Sequence, residues 1–146
     1  MSTITDDKVM PSLRRKARSL AVQALYQWEV TRDPINLIEL HFLEDTNLKK
    51  LDVGYFSELL HGVVNNIEII NDEMIPVLDR DLEKLNTVEL SILRLAIFEL
   101  LKRLDVPYRV VINEALELAK IFGSQEGFKY VNGVLDKVAK KIRINE

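Results

Sequence analysis

The sequence has no cysteine among its 146 residues. This excludes disulfide frameworks, zinc ribbons, iron-sulfur ligation and thiol nucleophiles, and with nothing demanding an oxidising compartment a cytoplasmic protein is expected. Five glycines and four prolines are too few breakers for a collagenous, low-complexity or disordered chain. The glycines (Gly54, Gly62, Gly123, Gly127, Gly133) stand apart from one another, so no GxGxxG, Walker or GxSxG spacing is present. No run approaches the roughly 18 apolar residues of a membrane span, and Asp6-Asp7 stands where a secretion signal needs positive charge. The two histidines, His41 and His61, form no HxxxH or HExxH motif, and Glu58 with His61 supplies one half of a di-iron bundle set. The pairs Asp72-Glu73 and Asp79/Asp81 lie among polar residues, where nothing drives their pKa values apart for acid-base work. Neither an enzyme nor a metal or cofactor site is expected.

With 47% apolar residues, the chain can bury the core of one domain spanning 1–146. The periodicity is helical throughout. Leu13, Ala17, Leu20, Ala21, Ala24, Leu25 and Trp28 follow the i, i+3, i+4, i+7 rule, predicting a helix near residues 12–31 behind a flexible start at 1–11. Pro11-Ser12 reads as its beginning and Asp33-Pro34 as its stop. Further helices are expected from Ile35 to Leu43, from the cap Asp52 onward, and from Ile67 to Leu78, where Pro76 bends or shortens the turn. Asn86 with Glu89 reads as a capping box before the fifth helix. Gly123 suits the left-handed end of the sixth, and Ser124 caps the seventh. The prediction is an all-α bundle of about seven helices in two sub-bundles, with seams near residues 47–50 and 78–85.

Charge divides the chain. Arg14, Arg15, Lys16 and Arg18 are four cations in five residues, and Lys129, Lys137, Lys140, Lys141 and Arg143 against Asp136 give +4 over 129–143. Between residues 65 and 90, seven carboxylates face Arg80 and Lys84, a net of −5. A polyanion is drawn to the ends and a basic protein to the middle. The arginine-rich cluster reads either as a phosphate-neutralising surface or as a solubilising flank; cations at a helix start oppose the macrodipole, so helix stabilisation does not explain them. Tyr130 beside Lys129 either stacks on a base of single-stranded RNA or packs on a neighbouring helix. Tyr26 is open to either core or partner, whereas Trp28 is expected in the core. Gly133 inside a helix costs about 1 kcal/mol relative to alanine; close helix packing is its first explanation and a close RNA backbone its second.

The chain resembles the NusB family of bacterial antitermination factors through LRRKARSLAVQALYQWEV at 13–30, YFSELLHGV at 55–63, VELSILRLAIFELLKRLDVPYRVVINEALELAKIFGS at 88–124 and KYVNGVLDK at 129–137. The resemblance implies a seven-helix, non-catalytic protein that binds the boxA element of nascent ribosomal RNA. It implies NusE, a small-subunit ribosomal protein, as co-binder, within a complex of other Nus factors and RNA polymerase. By position it marks Arg14, Arg15, Lys16, Arg18, Lys129 and Tyr130 for RNA, and Tyr26, Glu83 and Glu89 for NusE. A monomer or a homodimer fits equally. The family's polar turn before the last helix is replaced by Ser124-Gln125-Glu126-Gly127-Phe128, and Tyr130 stands for the Phe of FVNG. A NusB-like domain also begins some ribosomal RNA cytosine methyltransferases, but their catalytic half needs a cysteine, which this sequence lacks. A helical interaction module without RNA binding is the remaining alternative.

Overall fold

A computed structural model describes the backbone of residues 3–146 and side chains from residue 11 onward. The expected flexible start falls largely outside the described side chains. Among the described residues there are seven α-helices and no strand: α1 (Thr3–Thr31), α2 (Ile35–Glu44), α3 (Val53–Asn65), α4 (Ile67–Met74), α5 (Thr87–Lys102), α6 (Tyr108–Phe122) and α7 (Gln125–Ile142). Short 3-10 turns lie at Leu48–Lys50, Ile75–Val77 and Leu82–Lys84. No described helix is long and apolar enough to cross a membrane, and no described cluster of His, Asp and Glu could hold a metal ion. The first helix starts earlier than residue 12, with Pro11 inside it. A proline forfeits its own amide bond while the turns around it stay paired.

The chain forms two compact units, one up to His61 and one from Gly62 to Glu146, and their boundary falls within α3 rather than at the expected seams. In the first unit, Ala17, Leu20, Ala21, Ala24, Leu25 and Trp28 of α1 are buried, as their spacing predicts. Ile38 is the buried residue of α2, which packs on α1. Arg32 ends α1 in the left-handed region at φ 57°, a conformation costly to most side chains. It is held there by its guanidinium 4.0 Å over the Trp28 ring and by a 2.9 Å bond to Glu29. Asp52 accepts from Tyr55 N at 3.0 Å and so caps α3. His61 meets Glu39 at 2.9 Å and ties α3 to α2. Burial alone would raise the Glu39 pKa, but bonds from Ser57 and His61 outweigh it and hold the carboxyl below its usual range.

In the second unit α5 is central: every residue from Leu90 to Leu100 is buried, and α4, α6 and α7 pack on it. Asn86 caps α5 by accepting from Val88 N at 2.9 Å and Glu89 N at 3.3 Å. The capping box is half formed, because the Glu89 carboxylate lies against Gly127 instead. Pro76 sits in the 3-10 turn that ends α4, as expected. Gly123 corrects an expectation: its backbone is extended (φ −112°, ψ −169°), not left-handed. Glycine is needed there because a Cβ would lie 2.9 Å from the Ala119 carbonyl oxygen.

Gly62 has a comparable role, since a Cβ would come within 2.3 Å of the Phe98 ring. Gly62→Ala should therefore destabilise by about 2–3 kcal/mol through overpacking. Thermal melts of Gly62→Ala and of Gly62→Ala/Phe98→Leu check this. The smaller side chain should restore part of the loss, and equal or additive losses would show that the ring is not the obstacle.

Candidate nucleic-acid interface

The basic cluster lies in the body of α1, several turns from its start at Thr3, so the macrodipole has little to do with it. Helical spacing splits it into two functions. Arg14 and Arg18, four residues apart, turn inward and stack on the same ring, 4.5 Å and 5.5 Å from the Tyr55 centroid. The Arg14 guanidinium also stands 4.0 Å from the Asp52 carboxylate that caps α3. Arg18 is only 4% exposed, which corrects its reading as a surface cation. Arg15 and Lys16 occupy the opposite face and are exposed.

On α7, Ser124 accepts from Gly127 N at 3.0 Å and caps the helix that carries Lys129 and Tyr130. Lys129 is exposed, while Tyr130 is half-buried with the Arg80 guanidinium 4.4 Å over its ring. Arg80 is bonded in turn to Asp79, Nε to Oδ1 at 2.7 Å and Nη2 to Oδ2 at 3.2 Å. This bidentate pairing holds the Asp79 carboxyl below its usual range. Burial first, and then the Asp79 charge, push the Tyr130 hydroxyl above its ordinary pKa. One face of Tyr130 is thus covered by a guanidinium, itself a plane on which a base can stack. The sequence offered no sign of this contribution from Arg80. Phe128, at the divergent turn, is half-buried with the Lys120 ammonium 5.7 Å from its ring.

The basic residues at the end of α7 are not alike. Lys140 pairs with Asp136 at 3.1 Å and Lys141 with Glu73 at 2.9 Å. Arg143, read from sequence as part of a basic tail, is 7% exposed and bonded to main-chain carbonyls around the end of α5. Gly133 also departs from its first explanation, because an added Cβ would meet nothing within 4 Å.

The residues assigned to a protein partner divide between the units. Tyr26 on α1 is 43% exposed. Glu83 is exposed on the 3-10 turn Leu82–Lys84. Glu89, half-buried in the first turn of α5, places its carboxylate 2.5 Å from where a Cβ on Gly127 would be. The glycine at the divergent turn therefore lets an acidic side chain lie against the first turn of α7, where the helix favours negative charge.

A model of the NusB family matches residues 15–140. The transcription antitermination protein NusB of Edwardsiella ictaluri is 53% identical over 135 residues, covering 92% of this chain and 97% of that protein. Its counterpart from Alcanivorax borkumensis is 52% identical over 136 residues, covering 93% and 91%. Among solved structures, T. maritima NusB aligns with a TM-score of 0.79 at 32% identity, covering 88% of this chain and 91% of that one. A chain from a crystal structure of the antitermination factors NusB and NusE with double-stranded RNA aligns with a TM-score of 0.80 at 26% identity, covering 88% and 97%. Matched by the family model over most of its length and by curated relatives at more than half identity, the chain belongs to the NusB family.

Proposed function

We propose that this protein is a cytoplasmic transcription antitermination factor that binds the boxA element of nascent ribosomal RNA as a single strand together with NusE. In this reading it brings that RNA into a complex with RNA polymerase and other Nus factors. The observation that carries it is the division of the α1 cluster. Arg14 and Arg18 brace the helix against Tyr55, and Arg15 and Lys16 are left exposed on the opposite face. Two exposed cations on one helix suit phosphate contacts, which give affinity and salt dependence without reading sequence. Sequence reading is assigned to the Tyr130–Arg80 stack beside Lys129, which offers a base a guanidinium plane and an aromatic edge. Tyr26, Glu83 and Glu89 are assigned to NusE, a basic ribosomal protein, with Arg18 in a positioning role for the RNA face. The family relatives named as antitermination proteins and the NusB-NusE-RNA neighbour support both partners.

Fluorescence anisotropy with a boxA-like single strand and a scrambled strand, each with and without NusE across a salt series, tests this. Tighter boxA binding that NusE strengthens is expected. Equal binding to both strands, unchanged by NusE, would leave a helical interaction module in its place. Within that assay Glu83→Lys separates the partners. It is exposed on the 3-10 turn Leu82–Lys84, so RNA affinity of the protein alone should hold while NusE affinity falls about tenfold. Glu89→Lys is the poorer probe, because it would put a cation against the first turn of α7.

A further inference from the structure

Gly133 has no reason within the fold to be glycine. Its φ is not positive, so no left-handed backbone requires it. A Cβ there would touch nothing within 4 Å, so no neighbouring helix requires it either. It lies mid-helix in α7, where glycine is unfavourable. Its position is informative: Lys129, Gly133 and Lys137 recur at four-residue steps and share one face of α7. All three line one cavity of about 180 Å³, together with Val77, Asp79, Tyr130 and Val134. Of the basic side chains on α7, Lys140 and Lys141 are held by Asp136 and Glu73. Lys129 and Lys137 enter no ion pair among the described residues and are exposed. Among the described residues lining the cavity the one carboxylate is that of Asp79, which is paired in bidentate fashion with Arg80 and leaves the two ammonium groups uncompensated.

We propose that this cavity is a phosphate seat, in which a phosphodiester of the bound RNA lies against the bare backbone at Gly133 between Lys129 and Lys137. The missing side chain is what allows the backbone of α7 to approach a bulky anion, and the flanking lysines supply its counter-charge. The inference rests on the RNA-binding reading and extends the RNA path from Tyr130 along α7, adding Gly133 and Lys137 to the contacts.

The test measures RNA affinity and stability together. Gly133→Ala removes an unfavourable helical glycine at no steric cost, so Tm should rise by about 2–4 °C. RNA affinity should nevertheless fall roughly five- to tenfold, because the methyl group occupies the seat. Lys137→Ala should lower the slope of log affinity against log salt by about 0.7, the share of one phosphate on a single strand. Lys140→Ala, whose lysine is already paired with Asp136, should leave the slope unchanged. A backbone contact carries no sequence information, so the losses should be equal on boxA-like and scrambled strands. Gly133→Ala and Lys137→Ala proteins that bind RNA as the parent does, while Arg15→Glu weakens it, would overturn the phosphate seat and leave the RNA-binding reading standing. Losses confined to the boxA-like strand would replace the phosphate by a base contact. A parent protein that binds neither strand would overturn both.

Discussion

Arg143→Met should lower the stability of the protein by about 3–4 kcal/mol, a drop in Tm of roughly 10 °C at this chain length. Nε of Arg143 donates to the Leu100 carbonyl at 2.8 Å and Nη1 to that of Val106 at 3.0 Å. Nη2 donates to the carbonyls of Arg103 at 3.0 Å and Glu99 at 3.3 Å, and Nη1 also meets the Glu146 carboxylate. The last carbonyls of a helix have no intrahelical donors, and here one guanidinium just past the end of α7 satisfies those around the end of α5. Methionine keeps the length and apolar stem but strands the Leu100 and Val106 carbonyls, while those of Glu99 and Arg103 still accept from Arg103 N and Val106 N. A stranded buried carbonyl costs about 1–3 kcal/mol before water is admitted. Arg143→Lys should recover only part of the loss, since an ammonium is a point charge without the planar fork. Equal melting of Arg143→Met and the parent would show that water satisfies these carbonyls as well as the guanidinium does.

Glu146 completes the arrangement and sets its response to acid. Its Oε2 accepts from Tyr108 N at 2.6 Å, and that bond first, then Arg143, holds its carboxyl below the usual range. A group whose folded pKa is depressed adds stability above its unfolded value, and this stability fades as pH falls through the folded value. The carboxylate is at the surface, so its share is small beside that of the buried guanidinium.

The two arginines that the sequence misplaced show where its legibility ends. The 3.6-residue period placed the helices and the core of α1, because each apolar side chain announces its face through neighbours three and four positions away. Charge carries no such rule. Arg18 and Arg143 read as solvated surface, and each is buried by a partner distant in sequence: the ring of Tyr55 for one, carbonyls 37 to 44 residues away for the other. Glycine misleads in the same way. Gly123 looked like a left-handed helix end and is instead a close approach to Ala119, while Gly133 looked like close packing and faces open space. The missing Cβ of Gly123 answers to a carbonyl four residues back, whereas nothing packed against Gly133 calls for one. The pairing of Arg80 with Tyr130 was equally invisible, fifty residues apart in the chain and joined where the acidic middle meets the basic end.

The burial of Arg18 also decides which charge reversal tests the RNA face. Reversing all four cations of the cluster would remove both guanidinium stacks on Tyr55 and put a carboxylate at a site 4% exposed. An unfolded protein and an RNA-blind one would then give the same result. Arg15→Glu with Lys16→Glu avoids this, because both side chains are exposed and Arg14 and Arg18 keep their stacks. Its Tm should stay within about 2 °C of the parent, as for surface changes of about 0.5 kcal/mol or less. RNA affinity should fall about 100-fold near 0.1 M salt, since two attractions to phosphate become two repulsions. The salt slope should drop by about 1.4, two contacts at about 0.7 each on a single strand. NusE affinity measured without RNA should be unchanged, because Tyr26, Glu83 and Glu89 are untouched. If the cluster were only a solubilising flank, the double variant would bind RNA with the parent's affinity and slope. An equal loss of both partners would instead show that the basic and acidic surfaces do not act separately.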